Sequence, residues 1–307
     1  MAPSESRHYR FEELGEGIHA GIARPDGYAI CNAGVADLGD GGVVFDSGMT
    51  PDSGRDLNFE ATRLLGRPPS LAVTSHRHFD HFLGNSEIAH IPIWGTRRTR
   101  EILLETADER LAELRREQLE KEMAEIEARR SSMRTRASQE DLEFTLQIYR
   151  AALACAGRFK IVPPDHTFET KMALPGARGA ELVSLGSGHT EADAFLFLPR
   201  EKVLFAGDLV VNGVQPSMGD GDPSHWIDEL DQIVRMAPER VVPGHGRVTT
   251  TEGMQETRDY LSGILDAARA PPGAPLPAAI RRWEGSLSLE SNLAFARGWV
   301  KAHSARS

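Results

Sequence analysis

Cysteine is nearly missing from this chain: Cys31 and Cys155 are the only two among 307 residues. Two are too few for a disulfide framework, so the pair reads as packing residues in a reducing, cytoplasmic setting. Long hydrophobic runs are missing too. No stretch of about 18 apolar residues occurs, which excludes a membrane-spanning helix, and residues 1–8 lack the apolar core of a signal peptide. A surplus of positive charge is also absent. With 35 Lys and Arg against 45 Asp and Glu the formal net charge is −10, which argues against nucleic acid or an anionic membrane as partner and leaves a small-molecule substrate. Gly and Pro are missing between Thr96 and Ala156, a gap that excludes tight turns there and makes that stretch helical. No solenoid repeat or low-complexity tract is present.

What the sequence does have is a concentration of metal-binding side chains. Ser75-His76-Arg77-His78-Phe79-Asp80-His81 packs three imidazoles and a carboxylate into six positions, directly after the apolar run Leu71-Ala72-Val73-Thr74. That run reads as a buried strand, and its end would deliver the cluster to one edge of a sheet. On a helix, His76 and His78 would point about 200° apart around the axis, so the cluster belongs to a loop. Imidazole and carboxylate suit zinc and related first-row metals. Four such groups exceed what one open catalytic ion takes from a single stretch, and two adjacent ions are the simplest explanation.

Three further stretches place a ligand type beside glycine after an apolar run: Gly188-His189-Thr190, Gly207-Asp208 and Pro243-Gly244-His245-Gly246. Glycine at a strand end lets the backbone turn and a ligand approach closely. The full set, His-x-His-x-Asp-His, Gly-His-Thr, Gly-Asp and Pro-Gly-His-Gly in that order, spans residues 17–250 and resembles the metallo-β-lactamase superfamily. The resemblance implies an α/β fold, the four-layer αβ/βα sandwich, with metals at one edge between two sheets. It implies that His76, His78 and His189 hold a first ion, that Asp80, His81 and His245 hold a second, and that Asp208 bridges them. Two Zn2+ per chain are the expected cofactors, with iron or manganese as alternatives.

The chemistry expected from that set is hydrolysis. A hydroxide held between two zinc ions attacks the carbonyl of a small ester, thioester, lactone or amide, with Asp80 as general acid/base. True β-lactamase activity ranks lower, because a cytoplasmic enzyme is badly placed to protect cell-wall synthesis. Hydroxyacylglutathione hydrolases and lactonases of the superfamily share these ligands. A mononuclear iron enzyme of the persulfide dioxygenase type is the alternative from another reaction class, using His76 or His78 with His189 and Asp208. For Asp46 two readings stand open, a turn or cap residue and a brace for the metal loop.

Around these motifs the chain divides into a body, residues 1–270, and a Pro-rich linker with a docking tail, residues 271–307. Strands are predicted over 17–22, 28–34 and 42–46, a helix over Pro51–Leu65 stopped by Gly66, and an edge strand over 91–94 because of Pro92. Residues 97–158 form a helical insertion of two or three helices broken near Arg130. Its reading is a solvated helix face with an apolar stripe packed on the body, a lid contributing Leu103, Leu104, Leu146 or Tyr149 to a pocket, or a homodimer contact. Strands resume over 167–174, 181–185, 194–198 and 202–206. The polar loop 209–222 is a candidate substrate-facing wall. Asp222 caps the next helix, which takes His225 out of the ligand set.

Overall fold

Two sheets face each other in the computed structural model, which describes residues 6–304; residues 1–5, part of the segment read above for a signal peptide, lie outside it. The first sheet takes its strands in sequence order: β1 (Tyr9–Gly15), β2 (Ile18–Ala23), β3 (Ala33–Asp37), β4 (Gly42–Phe45), β5 (Leu71–Val73), β6 (Ile93–Thr96) and β7 (His166–Phe168). The second contains β8 (Lys171–Ala173), β9 (Glu181–Gly186), β10 (Asp193–Leu198), β11 (Val203–Val211) and β12 (Arg240–His245), with β12 and β8 at its edges. Alternation along the strands builds the layers. In β10, Ala194, Leu196 and Leu198 face the other sheet, while Phe195 and Phe197 face the helices outside. In β4 and β5, Val43, Phe45, Leu71 and Val73 point inward, and Val44 and Ala72 pack against the outer helix. This period of two with both faces covered is what a sheet buried on both sides requires.

Helices close the outer faces. α1 (Pro51–Leu65) starts in a capping box between Thr50 and Ser53 and stops at left-handed Gly66, as its sequence demands. α2 (Phe79–Phe82) is a single turn carrying Asp80 and His81. The insertion comprises α3 (Arg97–Glu105), α4 (Ala107–Glu113), α5 (Arg116–Glu127) and α6 (Arg136–Cys155), four helices where two or three were expected, with the expected break at Arg130–Ser132. The second sheet is covered by α7 (Pro223–Arg235), α8 (Thr251–Arg269) and the tail helices α9 (Ala278–Arg281) and α10 (Leu287–Ser304). Ile280, Trp283, Leu289, Leu293 and Ala296 of the tail share one core with Tyr260, Leu261 and Ile264 of α8. The whole is the αβ/βα sandwich with a helical insertion and a helical tail.

Four local expectations need correction. Residues 28–32 are not strand; Ile30 adopts φ 67°, which a β-branched residue in a ladder cannot, and pairing starts only at Ala33. β1 had no expected counterpart. β6 is paired on both sides, by β5 and β7, because Pro92 precedes the strand and serves it only as an acceptor for Ala72 N at 2.9 Å. Residues 167–174 are two strands in different sheets, since the chain crosses between layers after Phe168.

Candidate metal centre

The strand ends meet at one edge. β5 delivers Ser75 to His81, the turn after β9 delivers His189, β11 carries Asp208 within it, and β12 ends on His245. Asp208 had been expected just past its strand; β11 instead continues through it to Val211, which makes its position rigid and shortens the wall loop. Gly244 is required here, because a Cβ at that position would overlap Asp208 Oδ1.

All seven residues singled out from the sequence converge, in two groups: His76, His78, His189 and Asp208, and Asp80, His81 and His245. Ring centroids of His76 lie 4.8 Å from His78, 4.9 Å from His189 and 4.2 Å from His81. Asp208 stands between the groups. Its Oδ2 is 3.4 Å from His189 Nε2, and its Oδ1 is 3.2 Å from His81 Nε2 and 3.3 Å from His245 Nε2. Asp80 Oδ2 lies 3.2 Å from His245 Nε2. Cys31, buried and free, donates its thiol to the Asp80 carbonyl at 2.8 Å and stands against His81.

Each imidazole has one ring nitrogen committed to an acceptor, which leaves the other lone pair turned toward the centre. His81 Nδ1 bonds Asp46 Oδ2 at 2.7 Å. His76 Nδ1 bonds Ser75 Oγ at 2.9 Å, and that hydroxyl donates to Asp46 Oδ2 at 2.8 Å. His78 Nε2 bonds Asp220 at 2.7 Å, so its Nδ1 faces His189. His189 Nδ1 donates to the Ser217 carbonyl at 3.0 Å and His245 Nδ1 to the Ile30 carbonyl at 3.2 Å. The left-handed Ile30 thus has a use: its strained peptide aims a carbonyl at His245.

These side chains fit a metal by their own chemistry. His76 Nε2, His81 Nε2 and Asp208 Oδ1 are buried polar atoms with no hydrogen-bond partner, and such atoms are costly unless an ion satisfies them. The electrostatics agree. Burial, then the neighbouring imidazoles, push His76 well below the ordinary histidine range, and burial drives His189 down to about 3. Burial opposes charge on His81 and His245 as well; at His81 the neighbouring Cys31, Asp208, Asp80 and Asp46 outweigh it, and at His245 Asp208 and Asp80 do, lifting it to about 10. The carboxylates therefore draw positive charge onto this half of the cluster, where a cation would replace the protons.

Several contributors carried no sequence signal of their own. Ser75 and Asp220 appear in the motifs without a role, because the use of a hydroxyl or carboxylate depends on what folds beside it. Asp193 gathers Gly188 N, Thr190 N and Thr190 Oγ1 and so shapes the His189 turn. Two cavities flank the cluster. One, of about 460 Å³, is bordered by Arg77, His78, Phe79, Asp80, Arg110 and Ile148. The other, of about 450 Å³, reaches His245 past Phe144 and Arg247. The insertion thus does border the centre, but through Arg110 of α4 and Phe144 and Ile148 of α6. The residues expected to do so point elsewhere: Leu103 and Leu146 are buried in other packing, Leu104 is exposed, and Tyr149 bonds Glu122 at 3.0 Å.

A sandwich of two sheets with a His/Asp metal-binding cluster at its open edge defines a metal-dependent hydrolase class. The chain belongs to the metallo-β-lactamase superfamily, whose family model matches residues 26–245. A curated relative, metallo-β-lactamase type 2 of Bacteroides fragilis, is 27% identical over 114 residues, covering 35% of this chain and 46% of the relative. The chain therefore matches about half the length of that protein. Among solved structures, the DIM-1 metallo-β-lactamase superposes with a TM-score of 0.57 at 17% identity, over 83% of this chain and 97% of that one. The metallo-β-lactamase from Pontibacter korlensis does so with the same TM-score of 0.57 and 17% identity, over 83% and 99%. FIM-1 from Pseudomonas aeruginosa, in its mono-zinc form, reaches 0.57 at 16% identity over 85% and 98%. At such identities these likenesses are likenesses of fold.

Proposed function

We propose that this protein hydrolyses a small ester, thioester, lactone or amide with two zinc ions, the first held by His76, His78 and His189, the second by Asp80, His81 and His245, with Asp208 between them. The observation that carries this reading is the division of Asp208, whose two oxygens face opposite ligand groups at 3.2 to 3.4 Å. A mononuclear site of the dioxygenase type would leave Asp80, His81 and His245 without a purpose. When bound, the ions supply Lewis acidity and a water acidified toward neutral pH.

The chain's own residues do the rest. The five imidazoles are held in one tautomer each by their outer partners, so the site is preorganised before substrate enters. Asp80, borne on a one-turn helix and contacting His245, is placed to accept a proton from the attacking water and return it to the leaving group. Phe144 packs edge-on to His245 with ring centroids 5.5 Å apart, and Ile148 adds an apolar side chain to the cavity wall beside His78 and Asp80. A cavity of about 460 Å³ supports a small-molecule substrate. The name of the Bacteroides fragilis relative makes a β-lactam one amide to include in the assays.

The test is to purify the protein without chelator, measure its metals, and assay phenyl esters, thioesters, lactones and a β-lactam. Close to two zinc per chain with turnover on one class is expected, and Asp80→Asn should lower turnover per bound zinc by at least tenfold. Iron at one equivalent, with no hydrolysis, would overturn the reading.

A further inference from the structure

One charged side chain in the wall of the cavity that opens on His78 and Asp80 has no use in the scheme above. Arg110, on α4, is only 8% exposed. Its guanidinium lies over the Phe79 ring, 5.2 Å from the centroid, and its Nε donates to Thr106 Oγ1 at 2.8 Å, a hydroxyl that itself donates to the Ile102 carbonyl. The side chain is thereby fixed at its near end. Its two terminal nitrogens make no hydrogen bond or ion pair with any described residue.

That is a costly arrangement. A buried cation loses hydration, and the loss is tolerated where something else compensates it. Arg77, in the same wall, is compensated: it pairs with Glu191 at 2.6 Å and with Asp220 at 2.7 Å. Arg110 has only the Phe79 ring and Thr106 Oγ1 and no carboxylate partner, and burial followed by the Arg77 charge lowers its pKa from the ordinary arginine value. The acidic groups that feel it, Glu113, Asp220 and Glu191, stand beyond ion-pair distance, Asp220 and Glu191 being engaged with Arg77 and Glu113 exposed. The open end of the guanidinium shares its cavity with two candidate metal ligands.

We propose that Arg110 is the residue that recognises substrate charge, and that the substrate carries a carboxylate held by this guanidinium while its scissile carbonyl reaches His78 and Asp80. A planar fork of donors matches a carboxylate in two parallel hydrogen bonds. A single uncompensated cation, with Glu109 and Glu113 in the same wall, suits a monoanion better than a doubly charged phosphate. The position of the reacting end rests on the hydrolase reading; the charged end does not.

The two can be separated by binding and by turnover. Zinc-loaded wild-type protein, Arg110→Met and Arg110→Lys are titrated calorimetrically with monoanilides of dicarboxylic acids having two to five methylenes, and with the neutral anilides of matching length. Wild type should prefer the best carboxylate by roughly tenfold to a hundredfold. In Arg110→Met that ratio should fall to near one, with Arg110→Lys between. Zinc content and thermal unfolding show whether each variant is folded, and if Arg110→Met is not, the ratio is read on Arg110→Lys. No preference in wild type, or the same preference in the variants, overturns the proposal. The matching phenyl esters are then assayed. Turnover without dependence on Arg110 upholds hydrolysis and rejects this inference, whereas Arg110-dependent binding without any turnover does the reverse.

Discussion

Asp46 braces both groups of candidate ligands from behind. At φ 57° it turns out of β4 in the left-handed region that Asp tolerates better than most residues, and its carboxylate accepts from Ser75 N, Ser75 Oγ and His81 Nδ1 at 2.7 to 2.8 Å. Through Ser75 it also fixes His76, so one buried carboxylate sets the tautomer of one imidazole from each ligand group. An amide there cannot accept all three donors. Asp46→Asn should weaken zinc binding about tenfold to a hundredfold, measured by competition with a chromophoric chelator. Unchanged affinity would reduce Asp46 to a turn residue. The sequence placed this aspartate at the end of a strand but left both meanings open, because only the fold brings it to His81.

At the scale of elements, α6 and α7 show two different limits of pattern reading. The composition of α6 gives an amphipathic helix, but which stripe faces the metal ligands depends on how α6 is rotated against the body. Phe144 and Ile148, four apart, face the centre, while Leu146 joins Met133 and Leu142. Nor is the insertion a detachable lid: Leu103, Leu114, Leu119, Ala151 and Ala152 share a core with Met49, Phe82 and Leu83 beneath the metal loop. In α7 the feature is Glu229, fully buried, with neither carboxyl oxygen hydrogen-bonded, His225 Nδ1 standing 3.6 Å from Oε1 and Oε2 pressed toward Gly188. Burial, then Asp193, pushes it up to about 9 from an unfolded value of 4.5. Between those values the folded chain keeps a proton that the unfolded chain has released, so this group makes stability fall as pH rises through the window. Glu229→Gln, neutral throughout, should lose less stability between pH 6 and pH 8 than wild type, read as urea midpoints. A steeper loss in the variant would contradict the assignment.

For the whole molecule, the metal cluster closes the edge where both sheets, the insertion and the wall loop meet, and a cation there ties strand ends from the two layers together. Removing metal should therefore lower the melting temperature of the entire chain, not only abolish activity. His81 is drawn toward protonation by Cys31, Asp208 and Asp80, and His245 by Asp208 and Asp80, so an entering metal would have to displace protons. Its affinity should fall as pH falls, and the gap in melting temperature between zinc-loaded and chelator-treated protein should shrink from pH 8 to pH 6. A gap independent of pH would show that protons and metal do not compete for these groups.

The sequence by itself determined most of the strands, the outer helices and the set of candidate ligands that the fold brings together. Alternation with a period of two, glycine and proline punctuation, and caps such as Asp222 and Thr50 act over a few residues, and a metal demands particular side chains in a particular order. The seven ligand types were legible at Ser75–His81, His189, Asp208 and His245 for that reason. Tertiary structure alone decided what depends on distance between segments far apart in the chain: that residues 167–174 split between two sheets, that Pro92 stands outside a central strand, that Ser75 and Asp220 orient imidazoles, and that Arg110 ends unpaired in the cavity. A side chain's charge and hydrogen-bonding capacity are written in the sequence. Whether they are satisfied is settled only by what packs against it.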